Sequence, residues 1–303
     1  MSTQNDSLRI RRSEYIVPAH SLKLMAQAAA SDADEVIFDL EDFCAVSQKV
    51  EARKTLVQGL NTLEFNGKIR AFRPNNIRTK FFYRDVIDVV EQAGKNLDVL
   101  VLPKCQDTAD VLFADRLLTQ IEQNLGLELG RIKLEVLIEG ARAVMNAYEI
   151  ASATPRMAGL IFGAADYAGD TGAKELTTEQ FSVYHYPKSK TIAAARAASI
   201  DVVDSATLQF RDLQQCEKDA RMASQMGFDG KWAVHADQVS VIHSVLTPTA
   251  EELRRASEIL ELYKKADLDQ GLGAIVYKDQ MVDAATLRIE SKKVAIAKKA
   301  GLL

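Results

Sequence analysis

Asp42, Arg73, Lys104, Glu139, Asp166, Asp204 and His235 follow one another at intervals of 31, 31, 35, 27, 38 and 31 residues. Each closes a short apolar run. The first belongs to a denser group, Asp39-Leu40-Glu41-Asp42, and Asn75 stands two positions beyond Arg73. An interval of this size is about one strand plus one helix, so regular alternation would bring these side chains to one rim. Acids, an arginine and a lysine gathered there could handle a small oxygen-rich, anionic substrate.

Glu139 and Asp166 close adjacent runs, with Glu41 and Asp42 as further acids. Such a hard oxygen site suits Mg²⁺, with Mn²⁺ as an alternative ion, and leaves coordination positions for a chelating substrate. Each acid taken singly could instead cap a helix or pair with a base, but that does not account for their regular placement. Arg73 presents a planar, always-charged fork suited to a carboxylate or a developing enolate oxygen. Its other reading is an ion pair with Asp39 or Asp42. Lys104 could form a Schiff base in a metal-free aldolase, but the acid cluster favours a plain ion pair. His235 alone is more often a structural group than a base. His20, His185 and His243 show no HExxH spacing, so zinc has no support, and Cys44 reads as a small packed residue.

The elements that must position these groups are legible. Apolar runs occur at 15–18, 35–39, 69–73, 99–103, 134–138, 158–162, 200–203 and 232–234. They do not alternate with polar residues, which suits strands buried on both faces of a parallel sheet. Helical patterns lie between them, including 81–94, ending at Gly94, and 108–123, with Thr108 and Asp110 as start signals. No GxGxxG or GxxxxGK[ST] loop supports a doubly wound sheet. The expected fold is therefore α/β, a (β/α)8 TIM barrel over residues 1–245 with a C-terminal helical extension over 246–303. Within the tail, Thr249 and Glu252 form a capping-box pattern, followed by a turn at Gly271 and Gly273, a short Ala-Ile-Val-Tyr run and a final helix from about 284.

Composition narrows the class. Of 303 residues, 47% are hydrophobic and 26% charged, enough for a large core and against pervasive disorder. Lys+Arg 38 against Asp+Glu 42 gives −4, without the basic stripe of a nucleic-acid binder. No window approaches the roughly 18 apolar residues of a membrane span, and the first residues lack the apolar stretch of a signal peptide. Three scattered cysteines fit a reducing compartment. A cytoplasmic protein with neither nucleic-acid nor membrane partners is expected.

Longer motifs carry a resemblance. They are Arg12-Ser-Glu14 with Val17-Pro18, Glu35-Val-Ile-Phe-Asp-Leu-Glu-Asp42 with Lys49 and Ala52-Arg53, Arg73 with Asn75, the run 83–94, and Leu102-Pro-Lys104. Glu135-Val-Leu-Ile-Glu139, Phe162-Gly-Ala-Ala-Asp-Tyr167, the run 227–235 with Gln238, and Met281-Val-Asp-Ala284 complete the set. In order, over almost the whole chain, they resemble the HpcH/HpaI aldolase and citrate lyase β-subunit-like family, and within it the malyl-CoA lyases. The resemblance implies a trimer or hexamer and cleavage or formation of a carbon–carbon bond between an acyl-CoA enolate and a keto acid such as glyoxylate. It implies Glu139 and Asp166 as Mg²⁺ ligands and Arg73 as the group holding the keto acid and enolate oxygen. Asp283 would be the acid–base group lent to a neighbouring subunit's site. Arg12 and Lys23 would help to hold coenzyme A.

This sequence departs from the family pattern around the site. Ala19 stands for a glycine, Gln27 for a lysine, Gly140 for a threonine and Ala236 for a proline, and the loop 169–175 is shorter. These changes point to altered substrate preference. The leading expectation is a Mg²⁺-dependent lyase on malyl-CoA or β-methylmalyl-CoA. The competitors are a citramalyl-CoA lyase, a malyl-CoA thioesterase on the same site, and a non-catalytic acyl-CoA-binding paralogue. Joint retention of Arg73, Glu139, Asp166 and Asp283 argues against the last.

Overall fold

The computed structural model describes residues 9–177, 180–270 and 273–303. Eight parallel strands close into a barrel in sequence order. They are β1 (Ser13–Pro18), β2 (Glu35–Asp39), β3 (Ile69–Arg73), β4 (Val99–Leu102), β5 (Lys133–Ile138), β6 (Met157–Phe162), β7 (Asp201–Asp204) and β8 (Gly230–Ala233). The helices between them are α1 (Leu22–Ala30), α2 (Lys49–Thr62), α3 (Phe82–Ala93), α4 (Thr108–Leu125), α5 (Ala141–Met145) and α6 (Ala147–Ala151). Then come α7 (Ala164–Asp170), α8 (Gln180–Val183), α9 (His185–Ala197), α10 (Leu213–Met226) and α11 (Ala236–Leu246). The α/β alternation read from the apolar runs is this (β/α)8 barrel. Among the described residues no helix is long and apolar enough to cross a membrane.

Period-two alternation decides what fills the lumen. Ile16, Ile37, Ile69, Ala71, Val99, Val101, Leu137, Ile161, Val203 and Trp232 form one buried cluster inside the barrel. Two residues beyond Ile37 comes Asp39, beyond Ala71 comes Arg73, and beyond Leu137 comes Glu139. The alternation that aims the aliphatic side chains inward therefore aims these three at the mouth of the same lumen, at the C-terminal ends of the strands.

The opposite mouth is closed by a polar layer that the sequence did not announce. Glu14, Glu35 and Glu135 are wholly buried there. Arg11 reaches Glu135 at 2.9 Å, Glu35 at 3.3 Å and Asp201 at 2.9 Å. Burial and mutual repulsion hold the Glu14 and Glu35 carboxyls well above the usual range.

Caps explain where helices begin and stop. Helix α4 is capped by Asp107, whose carboxylate accepts from Ala109 N–H, one position ahead of the expected Thr108 and Asp110 signal. It stops at Gly126, in the left-handed region at φ 64°. Helix α3 stops before Gly94 as expected, although Gly94 itself keeps a right-handed backbone at φ −58°.

The described residues divide into two compact units, Arg11–His243 and a second one formed by Arg9 and Ile10 with Ser244–Leu303. Arg9 and Ile10 thus group with the tail, whereas the sequence assigned them to the barrel. The tail holds α12 (Ala250–Gln270), an antiparallel hairpin of β9 (Ala274–Tyr277) and β10 (Gln280–Asp283), and α13 (Ala284–Lys299). The capping box forms as read: Thr249 N–H donates to Glu252 at 2.8 Å and Glu252 N–H to Thr249 Oγ1 at 3.2 Å. The short Ala-Ile-Val-Tyr run is β9, and Ile259, Tyr277 and Val282 form a separate small core. Of the two turn glycines, Gly271 lies outside the described residues.

Candidate active site

Arg73 is gripped by Asp39. Neighbouring strands β2 and β3 pair Asp39 with Arg73 in register. The fork closes through Nε to Oδ1 at 2.7 Å and Nη2 to Oδ2 at 2.6 Å. Asp39 also accepts from Glu41 N–H and Phe43 N–H, both at 2.9 Å, so one carboxylate shapes the loop after β2 and orients the arginine. Arg73 Nη1 lies 3.3 Å from Glu41. The rings of Phe43 and Trp232 flank the guanidinium at 5.7 and 5.5 Å. Burial opposes the charge, but Asp39 overrides it and raises the pKa further above the ordinary arginine value.

Glu139 follows β5 and is 4% exposed. Its Oε1 accepts from Lys104 N–H at 2.6 Å. Burial, then the negative charge of Asp166, pushes its carboxyl up to about 8. Gly163 makes room for it: a Cβ there would sit 2.5 Å from Glu139 Cβ and 2.8 Å from Oε2. Asp166 does not close β6 directly. It lies in the first turn of α7, three residues past Gly163.

Lys104 ties the remaining acids together, with Nζ 2.8 Å from Glu41, 2.9 Å from Asp42 and 3.5 Å from Asp166. Burial opposes ionisation of Asp42, and the Lys104 hydrogen bond overrides it to lower its pKa. Glu41 is raised by burial in spite of its two cations. Asn75 is buried and faces the scaffold: its N–H and Nδ2 donate to Asp85 at 3.0 and 2.6 Å, and its carbonyl accepts from Lys49. Lys49 also donates to the Leu40 and Glu41 carbonyls, at 2.9 and 2.8 Å, fixing the acid-bearing loop from below.

Lys104, Glu139, Gly140, Arg142, Asp166 and Asp170 line a cavity of about 510 Å³. A more apolar cavity of about 730 Å³ is lined by Tyr15, Val17, Pro18, Leu24, Phe43 and His235. Phe43 is shared between this second cavity and the Arg73 guanidinium.

Other expected members lie elsewhere. Arg12 precedes β1, and all strands of a parallel barrel start on one face, so it sits at the N-terminal end, opposite the acid cluster. There it forks onto Asp34 at 2.9 and 2.8 Å. The structure therefore does not bring it to the rim that carries the acid cluster. Lys23, by contrast, projects exposed from the first turn of α1. Asp204 is wholly buried between Lys188 at 2.5 Å and Lys231 at 3.1 Å and does not join the acids. His235 stacks on Phe210 with ring centroids 5.6 Å apart. Cys44 is buried, and burial raises its thiol above the ordinary value, consistent with packing. Asp283 caps α13, accepting from Ala285 N–H at 2.9 Å and Thr286 N–H at 3.0 Å. These bonds hold its carboxyl below the usual range.

The donor set at the rim fits a divalent cation. A glutamate forced toward neutrality first by burial and then by a neighbouring aspartate, in a polar cavity, is relieved when a hard dication offsets both charges.

Fold and site together define a TIM-barrel enzyme with an acid-rich rim. Residues 12–236 match the HpcH/HpaI aldolase/citrate lyase family, and the chain belongs to that family. The chain is 35% identical over 295 residues to an L-malyl-CoA/β-methylmalyl-CoA lyase of Cereibacter sphaeroides, covering 92% of each. It is 30% identical over 275 residues to a citrate lyase subunit beta of Leuconostoc mesenteroides, covering 91% of this chain and 89% of the relative. Among solved structures, CitE of Mycobacterium tuberculosis in complex with magnesium, acetoacetate and coenzyme A superposes with a TM-score of 0.78 at 27% identity. The match covers 96% of this chain and 98% of that one. A citrate lyase of Burkholderia xenovorans superposes with a TM-score of 0.86 at 20% identity, which speaks for the fold alone. The chain is a carbon–carbon lyase.

Proposed function

We propose that this lyase is Mg²⁺-dependent and cleaves malyl-CoA or β-methylmalyl-CoA to an acyl-CoA and glyoxylate, or joins these two in the reverse direction. The observation carrying the metal reading is the Glu139 carboxyl, buried beside Asp166 at the mouth of the lumen and pushed up to about 8. The likeness to lyases of these two thioesters supports the substrate class.

Glu139 and Asp166 would hold the ion. When bound, Mg²⁺ would supply a Lewis acid for the keto-acid or hydroxy-acid end of the substrate and ease loss of the hydroxyl proton. Arg73, fixed by Asp39, offers its Nη1 side to the oxygen that becomes negative in the thioester enolate. Buried and flanked by aromatic faces, it does this with little competition from water. The apolar cavity beside Phe43 would take the acyl and thioester end, and Lys23 at the same rim would meet a nucleotide phosphate.

Asp283 is assigned the proton at the enolate carbon, and its capped, ionised carboxylate suits a base in the condensing direction. It would take a proton from the acyl carbon; the resulting enolate would attack the keto carbon, the alkoxide would take a proton from water, and Asp283 would return its own proton to solvent before the next turnover. This role would be served in trans, one copy's tail completing another copy's site in a homotrimer or hexamer.

The test is purified protein with malyl-CoA and Mg²⁺, followed for glyoxylate and free CoA. Glyoxylate without free CoA supports the lyase. Free CoA with malate points to a thioesterase on the same site. Neither product, with no effect of EDTA, would sink the catalytic reading.

A further inference from the structure

Lys104 touches the candidate metal site twice, through different parts of itself. Its backbone lies in the left-handed region at φ 51°, a conformation costly for any residue with a Cβ. That turn, directly after Pro103, aims the Lys104 N–H at Glu139 Oε1, 2.6 Å away. The side chain meanwhile leans over the other acids. Its ammonium sits between Glu41, Asp42 and Asp166, and the side chain is 29% exposed. Backbone and side chain therefore act on the two expected ligands separately, one on Glu139 and one on Asp166.

Their effects on a dication are opposed. A hydrogen bond from the amide orients Glu139 and favours its ionised form. The ammonium does the reverse: it already neutralises carboxylate charge that a dication would otherwise feel, and it must release Asp166 when the ion arrives. Among the described residues Asp39, Glu41, Asp42 and Asp166 form ion pairs with two cations, Arg73 and Lys104, while Lys49 acts on Asp42 through its charge alone. Arg73 is locked to Asp39, so Lys104 is the cation of the pair that can move.

We propose that Lys104 is a positioning residue that sets the affinity of this site for its divalent ion. Its backbone amide fixes Glu139, and its ammonium, paired with Glu41, Asp42 and Asp166, competes with the ion for those carboxylates. This rests on Glu139 and Asp166 being the ligands. The consequence is a metal held less tightly than the acids alone would hold it, and a site that does not collapse or repel itself when the metal leaves.

The experiment is calorimetric Mg²⁺ titration of the full-length protein, comparing wild type, Lys104→Met and Lys104→Gly, with folding checked by circular dichroism. Met removes the ammonium and keeps the strain. Gly removes the ammonium and adopts φ 51° freely, and both keep the N–H. Each variant is expected to bind Mg²⁺ at least about tenfold more tightly than wild type, whereas a merely structural lysine would weaken binding when lost. Unchanged or weaker binding by folded Lys104→Met overturns the proposal, including the case where only the glycine variant gains. Should the variants fail to fold, the wild type still decides. Acetylation of Lys104 by acetic anhydride, read by peptide mass spectrometry, should speed up at least about threefold when Mg²⁺ is added, and an equal or slower rate overturns the proposal. Wild type that binds no Mg²⁺ at millimolar concentration overturns both this inference and the metal reading. Wild type that binds, with no gain in the variants, overturns this inference alone.

Discussion

Asp39 closes both oxygens onto Arg73, at 2.7 and 2.6 Å, from the adjacent and in-register strand. The pair is a buried ion pair whose two members have separate uses. Asp39 holds the loop that carries Glu41, and Arg73 meets Glu41 through Nη1 at 3.3 Å, the side proposed to meet a substrate oxygen. Removing one partner of such a pair leaves an uncompensated buried charge, at about 3–5 kcal/mol. Asp39→Asn should therefore lower the melting temperature and reduce kcat by about 10²-fold or more, because a neutral amide cannot grip the fork through two acceptors. The check is steady-state kinetics beside a thermal melt; a folded variant with wild-type kcat would remove Arg73 from the mechanism.

The state of Glu139 should make both stability and metal binding depend on pH. Its folded pKa of about 8 lies above the ordinary 4.5, so folding favours the protonated form between those values. Its contribution to stability is thus fully present below about pH 4.5 and lost as pH rises through about 8. Metal-free protein should lose this increment over that window, and Glu139→Gln should flatten the profile. Mg²⁺ must displace the proton, so its affinity should climb by up to about tenfold per pH unit until about pH 8. Titrations at three pH values in this range decide it: an affinity insensitive to pH counts against Glu139 as a ligand.

Gly163 permits the site without contributing a group to it. A Cβ at this position would press 2.5 Å from Glu139 Cβ. Gly163→Ala should cost about 1–3 kcal/mol through overpacking. It should also weaken Mg²⁺ by about tenfold or more, with every ligand still present. Calorimetry on the folded variant is the measurement, and unchanged affinity would mean that Glu139 has another way to sit.

How far the sequence reached is clear from particular residues. Arg73 and Glu139 were readable because period two and strand ends together fix both direction and level. Asp166 lines the same cavity as Glu139 but stands in the first turn of α7 instead of at the strand end, since spacing does not register a glycine loop and a short helix. Asp204 kept the same spacing and still left the cluster, drawn off by Lys188 and Lys231. Lys188 comes from α9, and no strand pattern reveals a helical partner. Glu14, Glu35 and Glu135 were not read as a layer because they stand at the starts of their apolar runs, whereas the chemistry was sought where the runs end.

Arg12 shows the same limit from the other side. The family resemblance implied a coenzyme A contact, but its place before the strand puts it at the far end of the barrel from the acid cluster, forked onto Asp34. Arg12→Ala should leave KM for an acyl-CoA within about twofold of wild type. It should destabilise the barrel by about 1–3 kcal/mol, because Asp34 stays largely buried without its partner. A large rise in KM without loss of stability would restore the ligand role.

Asp283 offers the sharpest test of how many chains make one site. Its carboxylate ties down the first turn of α13 through Ala285 and Thr286 N–H groups, and those bonds lower its pKa. Loss of this cap alone should cost about 1 kcal/mol. If it also handles the proton at the enolate carbon, Asp283→Ala should lower kcat by about 10²-fold or more. Asp283→Asn would keep much of the cap and lose the chemistry, which separates the two effects. An Asp283→Ala chain co-assembled with an Arg73→Ala chain should recover a fraction of wild-type activity, because some sites would receive an intact tail and an intact barrel from different copies. No recovery in mixed oligomers verified by mass spectrometry would confine Asp283 to its own chain or to its capping role.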